Sequence, residues 1–325
     1  MTHSNQTTLI SAAETTREQT LTTTDGISLQ LWVHEAENAA GTVLLTHGLG
    51  EHSGRYEHVI AALREHGLSV VRWDLRGHGR STGQRGHSPN IETLLDDISL
   101  TAEFVQENFG QNPISLWAHS LGGNLISHWT LKRSDQALQF RAAVLSAPWF
   151  LLKDRPSSVK EWMIRTLAGF YPSFVIPARF RSQSLTSDQK ARREYEKDEL
   201  VHRQVTARMV IDCFDAGHWS LEHAQEFPLP VFAFHGSDDP VTDPQGTQQF
   251  CGKAPNCHFE LLPGFVHEPH NERGWESIVN EAASWLLHQM GKNGPFPSDS
   301  KTRTMVDSPD PELTPTHGWQ EEQTE

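Results

Sequence analysis

The chain of 325 residues is poor in several things, and each shortage removes a class of protein. Cysteine is scarce: Cys213, Cys251 and Cys257 make an odd set without a CxxC pair. That pattern predicts reduced thiols and argues against a disulfide framework or a cysteine zinc site. No stretch reaches the ~18 uncharged apolar residues that a spanning helix needs. Residues 1–20 have no basic segment followed by an apolar one, so no secretory leader is expected and the cytoplasm is the expected location. Positive charge is in deficit as well. The 27 Lys and Arg face 41 Asp and Glu, a formal net charge of −14, which speaks against a nucleic-acid partner. Histidine is the abundant metal-ligating type, at 19 residues, yet no HExxH or comparable ligand spacing occurs. No metal and no cofactor are therefore expected.

What is present is an alternation of apolar runs and amphipathic stretches. Residues 19–36 predict two strands around the Asp25-Gly26 turn. Apolar runs at 41–48, 68–74, 114–120, 141–148, 230–239 and 257–265 read as buried strands. Segments 56–67, 91–109, 122–134 and 275–290 have apolar residues at helical spacing. Strand and helix in turn predict an α/β fold, with a mostly parallel sheet and helices on both faces. The core is expected at 19–148 and 227–290. Between them, 149–226 breaks the alternation and reads as a mostly helical lid, near neutral with 12 basic against 11 acidic residues over 151–226. Residues 1–18 read as a flexible lead. Residues 291–325, with five prolines and three basic against seven acidic residues, read as a disordered acidic tail.

The string Trp117-Ala118-His119-Ser120-Leu121-Gly122-Gly123 lies between a predicted strand and a predicted helix. A serine there stands on a sharp turn, with its hydroxyl above the sheet and at a helix N-terminus that favours developing negative charge. Small residues flank such a turn because it presses strand and helix together, and Ala118 stands where the GxSxG pattern has its first glycine. The alternative is an ordinary N-cap serine. A nucleophilic serine needs a base, oriented in turn by an acid. Two later segments offer them at strand ends: HGSDDPVTD (235–243), rich in carboxylates, and PGFVHEPH (263–270), with two histidines.

The motifs HGLGEHSGRYEHV (47–59), DLRGHGRSTGQRGH (74–87), AHSLGG (118–123), GSDDPV (236–241) and GFVHEPHNE (264–272) occur in that order. Together they resemble the monoacylglycerol lipase and lysophospholipase group of α/β-hydrolases, a serine aminopeptidase S33-like set, over about 20–290. The resemblance implies the α/β-hydrolase fold, with Ser120 as nucleophile, Asp239 as acid and His267 as base. It implies an oxyanion hole from the backbone N–H groups of Leu49 and Leu121, and a glycerol-side subsite of Glu51, Arg55 and His270. His47 and His119 are expected to support the oxyanion region, and Arg76, His78 and Arg80 to brace loops. The implied substrate is a lipid ester, and the implied reaction is monoacylglycerol hydrolysis through an acyl-enzyme. Lysophospholipase, short-chain esterase or acyltransferase, and non-catalytic binding protein stand as alternatives. Ser120 at the elbow excludes the hydrolases of this fold that use an aspartate nucleophile. The lid stretch 162–180, with Trp162, Met163, Leu167, Phe170, Phe174 and Ile176, is expected to supply an acyl tunnel or a transient contact with a membrane or micelle surface, or else each of these residues simply packs the lid onto the sheet.

Overall fold

Every residue of Gly41–Thr46 (β3), Leu68–Trp73 (β4) and Ile114–His119 (β5) is buried, as it must be for strands covered on both faces. These strands form the centre of the protein, a computed structural model that describes residues 16–178, 181–291 and 302–304. Before them stand β1 (Thr16–Thr22) and β2 (Ser28–His34), joined through Asp25-Gly26, where Gly26 takes φ 82°. Around and after them come α1 (Glu57–Glu65), α2 (Ile91–Phe109), α3 (Leu121–Lys132), α4 (Ser134–Ala137) and β6 (Ala143–Ser146). The insert holds α5 (Ser158–Phe170), β7 (Val175–Pro177), α6 (Ser182–Leu185), α7 (Gln189–Lys197), β8 (Gln204–Thr206) and α8 (Ala207–Glu222). The core resumes with β9 (Val231–Gly236), α9 (Pro244–Lys253), β10 (Cys257–Leu262), α10 (Trp275–Gln289) and β11 (Thr302–Thr304).

The main sheet runs β1-β2-β4-β3-β5-β6-β9-β10-β11. The pairs β1–β2 and β2–β4 are antiparallel, and the rest are parallel. Successive residues of a strand point to opposite faces. Leu116 and Ala118 of β5 therefore enter one core with α2 and α3, while Trp117 enters the other with α1 and α10. Parallel strands place their carboxyl ends along one edge, and β3, β5, β9 and β10 all deliver functional loops there.

Four features differ from expectation. Residues 16–18, expected in the lead, already pair with His34, Val33 and Trp32 as the start of β1. The strand β11 falls within the expected tail and pairs in parallel with β10; 1–15, 292–301 and 305–325 lie outside the described residues. Helix α9 was not anticipated, although Asp243 caps it by accepting from Gln245 N at 3.1 Å and Pro244 opens it. Finally, Cys251 and Cys257 are joined as a disulfide, with Cα atoms 5.0 Å apart, so reduced thiols are not found at this pair. The short link from α9 into β10 turns the chain back on itself and brings the two together. Cys213 is a buried free thiol.

No helix among the described residues is long and apolar enough to cross a membrane. The lid nevertheless leaves large apolar groups in solvent. Helix α5 packs Ile164, Leu167 and Ala168 against Ala207 and Ile211 of α8. It turns Trp162 and Met163 outward, and Phe170 is 88% exposed.

Candidate active site

Ser120 links β5 to α3 at φ 51° and ψ −113°, a conformation that costs a non-glycine residue about 1–3 kcal/mol and persists only where its surroundings enforce it. They do so here. Ser120 N donates to Ser146 O at 3.0 Å, and Ser120 O accepts from Asn124 N at 3.0 Å and Trp149 N at 2.9 Å. Strand and helix approach closely, since a Cβ on Gly122 would stand 2.5 Å from His47 O and 2.6 Å from Thr46 O. Ala118 is fully buried within the α2–α3 core, so the methyl that replaces the first glycine is absorbed by packing.

The loops after β9 and β10 bring the other two residues to this serine. Ser120 Oγ lies 3.0 Å from His267 Nε2, and His267 Nδ1 lies 2.8 Å from Asp239 Oδ2. Asp239 is held in turn. Its Oδ1 accepts from Val241 N at 2.7 Å and Thr242 N at 3.0 Å, and its Oδ2 accepts from Thr242 Oγ1 at 2.8 Å. His235 Nε2 is 3.0 Å from the same Oδ2, with its Nδ1 2.8 Å from Thr247 Oγ1. Burial works against charge on Asp239, but His267, His235 and these hydrogen bonds hold its carboxyl far below the usual range. Burial likewise works against charge on His267, but Asp239, followed by Glu268 and Glu51, raises its pKa. The arrangement makes Nδ1–H a donor to Asp239 and leaves Nε2 to accept the serine proton.

The loop after β3 forms the opposite wall. His47 Nδ1 lies 2.7 Å from Gly48 O, and its Nε2 accepts from Leu75 N at 3.0 Å. Burial lowers the pKa of His47, which fits a neutral ring bridging two backbone segments. His119 is buried beside it with Nδ1 3.0 Å from Ser146 O, and burial followed by the His267 charge lowers its pKa to about 4. Leu49 lines the cavity, and Leu121 opens α3, where an N–H has no acceptor within its own helix. In the DLRGHGRS loop Arg76 binds Asp97 and Asp25, tying the first hairpin to α2. His78 is buried beside His47 and His202, and Arg80 N donates to Asp74 at 2.8 Å.

A cavity opens above Ser120 and His267. Most of it is apolar, with Leu49 and Val241 from the core and Trp149, Leu152, Leu185, Val205, Val210 and Phe214 from the insert 149–226. Of the stretch 162–178, only Ala178 reaches it. The expected tunnel residues do not line it because α5 faces α8 and solvent, with Leu167 and Ile176 half-buried in packing instead.

One end of the cavity is polar. Glu51 Oε1 accepts from Gly48 N at 2.6 Å and from Tyr56 Oη at 2.7 Å, and its Oε2 accepts from Arg55 Nη1 at 2.7 Å. Arg55 also forks onto Glu268, Nη1 to Oε1 at 2.6 Å and Nη2 to Oε2 at 2.7 Å, and lies 5.0 Å over the Tyr195 ring. Burial opposes charge on Glu51, but Arg55 and then His119 hold its pKa to about 2. The sequence reading missed Glu268, Tyr195 and Thr242. The signal for Glu268 was its place directly after His267.

His270 departs from its expected place. It is not among the lining residues. Its ring stacks on Tyr56 at 4.6 Å and stands edge-on to His119 at 4.8 Å, and neither ring nitrogen has a hydrogen-bond partner. Burial, then His119 and His58, keep its pKa well below the usual value, so it is a neutral packing group behind the wall. Among the described residues one group could hold a metal ion, namely His258 and Glu260 on β10 with Glu281 on α10, whose ligand atoms lie within 4.8 Å of one another. None of the three lines the cavity.

A family profile described as serine aminopeptidase, S33, matches residues 37–274. An uncharacterized abhydrolase domain-containing protein of Dictyostelium discoideum is 33% identical over 81% of this chain, which spans 28% of that relative's length. A putative monoglyceride lipase of Schizosaccharomyces pombe is 25% identical, covering 87% of this chain and 76% of its own. Among solved structures, the monoacylglycerol lipase of Paleococcus ferrophilus is similar with a TM-score of 0.72 at 26% identity, over 80% of this chain and 99% of that one. The chain belongs to the serine aminopeptidase S33 family, as a hydrolase of the monoacylglycerol lipase-like α/β-hydrolases.

Proposed function

We propose that this chain cleaves monoacylglycerols to fatty acid and glycerol through an acyl-enzyme on Ser120. The observation that carries the reading is the unbroken hydrogen-bonded run Ser120–His267–Asp239 at a cavity that is apolar along its length and polar at one end. His267 Nε2 takes the Ser120 proton as Oγ attacks the ester carbonyl, and Asp239 stabilises the resulting imidazolium. The N–H groups of Leu49 and Leu121 receive the oxyanion, and such donors are worth about 3–4 kcal/mol each. As the tetrahedral intermediate collapses, the imidazolium gives its proton to the departing glycerol oxygen. Water then attacks the acyl-enzyme by the same route and frees the acid. The apolar walls suit an acyl chain, and Glu51 and Arg55 suit a hydroxylated head.

The exposed lid groups Trp162, Met163 and Phe170 support a second part of the reading, namely that the lid rests on the lipid surface holding the substrate. The test is acyl release from 2-oleoylglycerol and from oleoyl lysophosphatidylcholine, side by side, with Ser120→Ala as control. Preferential turnover of the glycerol ester, lost in the variant, is expected. Preference for the lysophospholipid would overturn the substrate class, and full activity in the variant would overturn the mechanism.

A further inference from the structure

Arg55 is the single cationic side chain among the described residues that line the cavity, and two carboxylates already hold it. Glu268 takes it in a fork, the two-point grip by which a guanidinium otherwise binds phosphate. Glu51 takes a second hydrogen of Nη1, and the Tyr195 ring covers one face. All three charged groups are nearly removed from solvent, with side-chain exposures of 9% for Arg55, 5% for Glu51 and 3% for Glu268. The polar end therefore carries two negative charges against one positive, in a setting where charge is weakly screened. It still offers hydrogen-bond acceptors, because a carboxylate oxygen has two lone pairs and Glu51 Oε2 and Glu268 Oε1 each receive one donor, from Arg55.

We infer that Glu268 is a specificity-determining residue that occupies Arg55 in place of a substrate phosphate, so that the site takes esters of uncharged hydroxylated alcohols and rejects those whose leaving alcohol is anionic. A glycerol hydroxyl donates to the carboxylates. A phosphate has only acceptors to offer, and it meets two carboxylates and a guanidinium already engaged. The inference rests on the lipase reading and deepens it, since without Glu268 the free fork of Arg55 would suit a lysophospholipid as well.

The test compares kcat/KM for 1-oleoylglycerol and 1-oleoylglycerol 3-phosphate, which differ only in the phosphate, in the same detergent micelles with the full chain. The wild-type protein is expected to favour the neutral ester by about a hundredfold or more, in line with the cost of placing an unpaired charge in a buried site. Glu268→Gln keeps the shape and removes the charge, and it should cut that preference about tenfold, chiefly through KM for the phosphate ester. Glu268→Asp retains the charge and should retain the preference, which separates charge from mere packing. A wild-type preference within threefold, or an unchanged ratio in Glu268→Gln, overturns the inference; the wild-type ratio decides it even where a variant fails to fold. Should the wild type cleave neither lipid but cleave p-nitrophenyl butyrate in a Ser120-dependent way, the lipase reading alone has failed. The inference is then decided on the butyryl esters of ethylene glycol and of ethylene glycol phosphate, where equal turnover sinks it.

Discussion

The two walls of the cavity are built on opposite principles. The sheet side is a closed hydrogen-bond system: Asp239 accepts from two backbone N–H groups and Thr242, His47 bridges two loops, and Ser120 is held in a strained conformation by three backbone contacts. The lid side offers apolar surface inward at Leu185, Val205 and Val210, and outward at Trp162 and Phe170. Chemistry needs groups fixed to within fractions of an ångström, which a sheet edge provides. Acyl recognition needs only apolar area of about the right shape, which a helical insert provides without a fixed polar framework.

The largest effect that would separate the walls is expected on the sheet side. Asp239→Asn should lower kcat by about ten-thousandfold, because the amide no longer selects the tautomer that leaves Nε2 free. The pH profile should move with it. His267 must be neutral to accept the serine proton, and its pKa is raised. In the wild type kcat/KM should therefore rise with pH through an apparent pKa above the ordinary histidine value of ~6.5. In Asp239→Asn the largest raising influence is gone while burial, Glu268 and Glu51 remain, so the midpoint should fall below that of the wild type. A midpoint that stays in place would remove Asp239 from its role.

On the lid side, the expected effect is on access and not on chemistry. Trp162→Ser together with Phe170→Ser should weaken partition onto phosphatidylcholine vesicles by about a hundredfold, about half of what full burial of two such side chains contributes. Sedimentation with vesicles measures it, and unchanged partition would detach the exposed patch from lipid.

Much of the sheet wall was legible in the sequence because each part is a short string at a strand end. Ser120 follows an apolar run and precedes a helix, Asp239 closes the run 230–239, and His267 lies just past the run 257–265. What escaped depends on contacts across long separations or on weak local patterns. Glu268 acquires its meaning from Arg55, 213 residues away. His270 matches a motif position, yet stacking on Tyr56 and an edge-on contact with His119 place it behind the wall. Helix α9 carries two glycines and five polar residues in ten, so apolar spacing hid it, although the Asp243-Pro244 start marked it. The stretch 162–180 reads as apolar, interrupted by arginines and prolines, but within it the helical geometry of α5 sends its groups in different directions, to α8 and to solvent. Hydrophobicity predicts that a group seeks apolar company, and the fold decides which.

The finest probe of the contrast is one substitution made twice. Gly122 and Gly169 both sit in helices, α3 under the sheet edge and α5 in the lid. A methyl on Gly122 would meet backbone oxygens of His47 and Thr46 at 2.5 and 2.6 Å, and backbone cannot swing aside as a side-chain tip can. Gly122→Ala should cost about 1–3 kcal/mol, the usual range for overpacking. It should also lower kcat, since it moves the turn that carries Leu121 N–H against the loop that carries Leu49. A methyl on Gly169 meets nothing within 4 Å. There only the backbone counts, and alanine restricts the unfolded chain while suiting the helix. Gly169→Ala should therefore stabilise by about 0.5–1 kcal/mol. Thermal unfolding of the two variants should shift in opposite directions from the wild type. Shifts of the same sign would mean that the lid helix is packed as tightly as the elbow, and the division between a rigid wall and an adaptable one would fall.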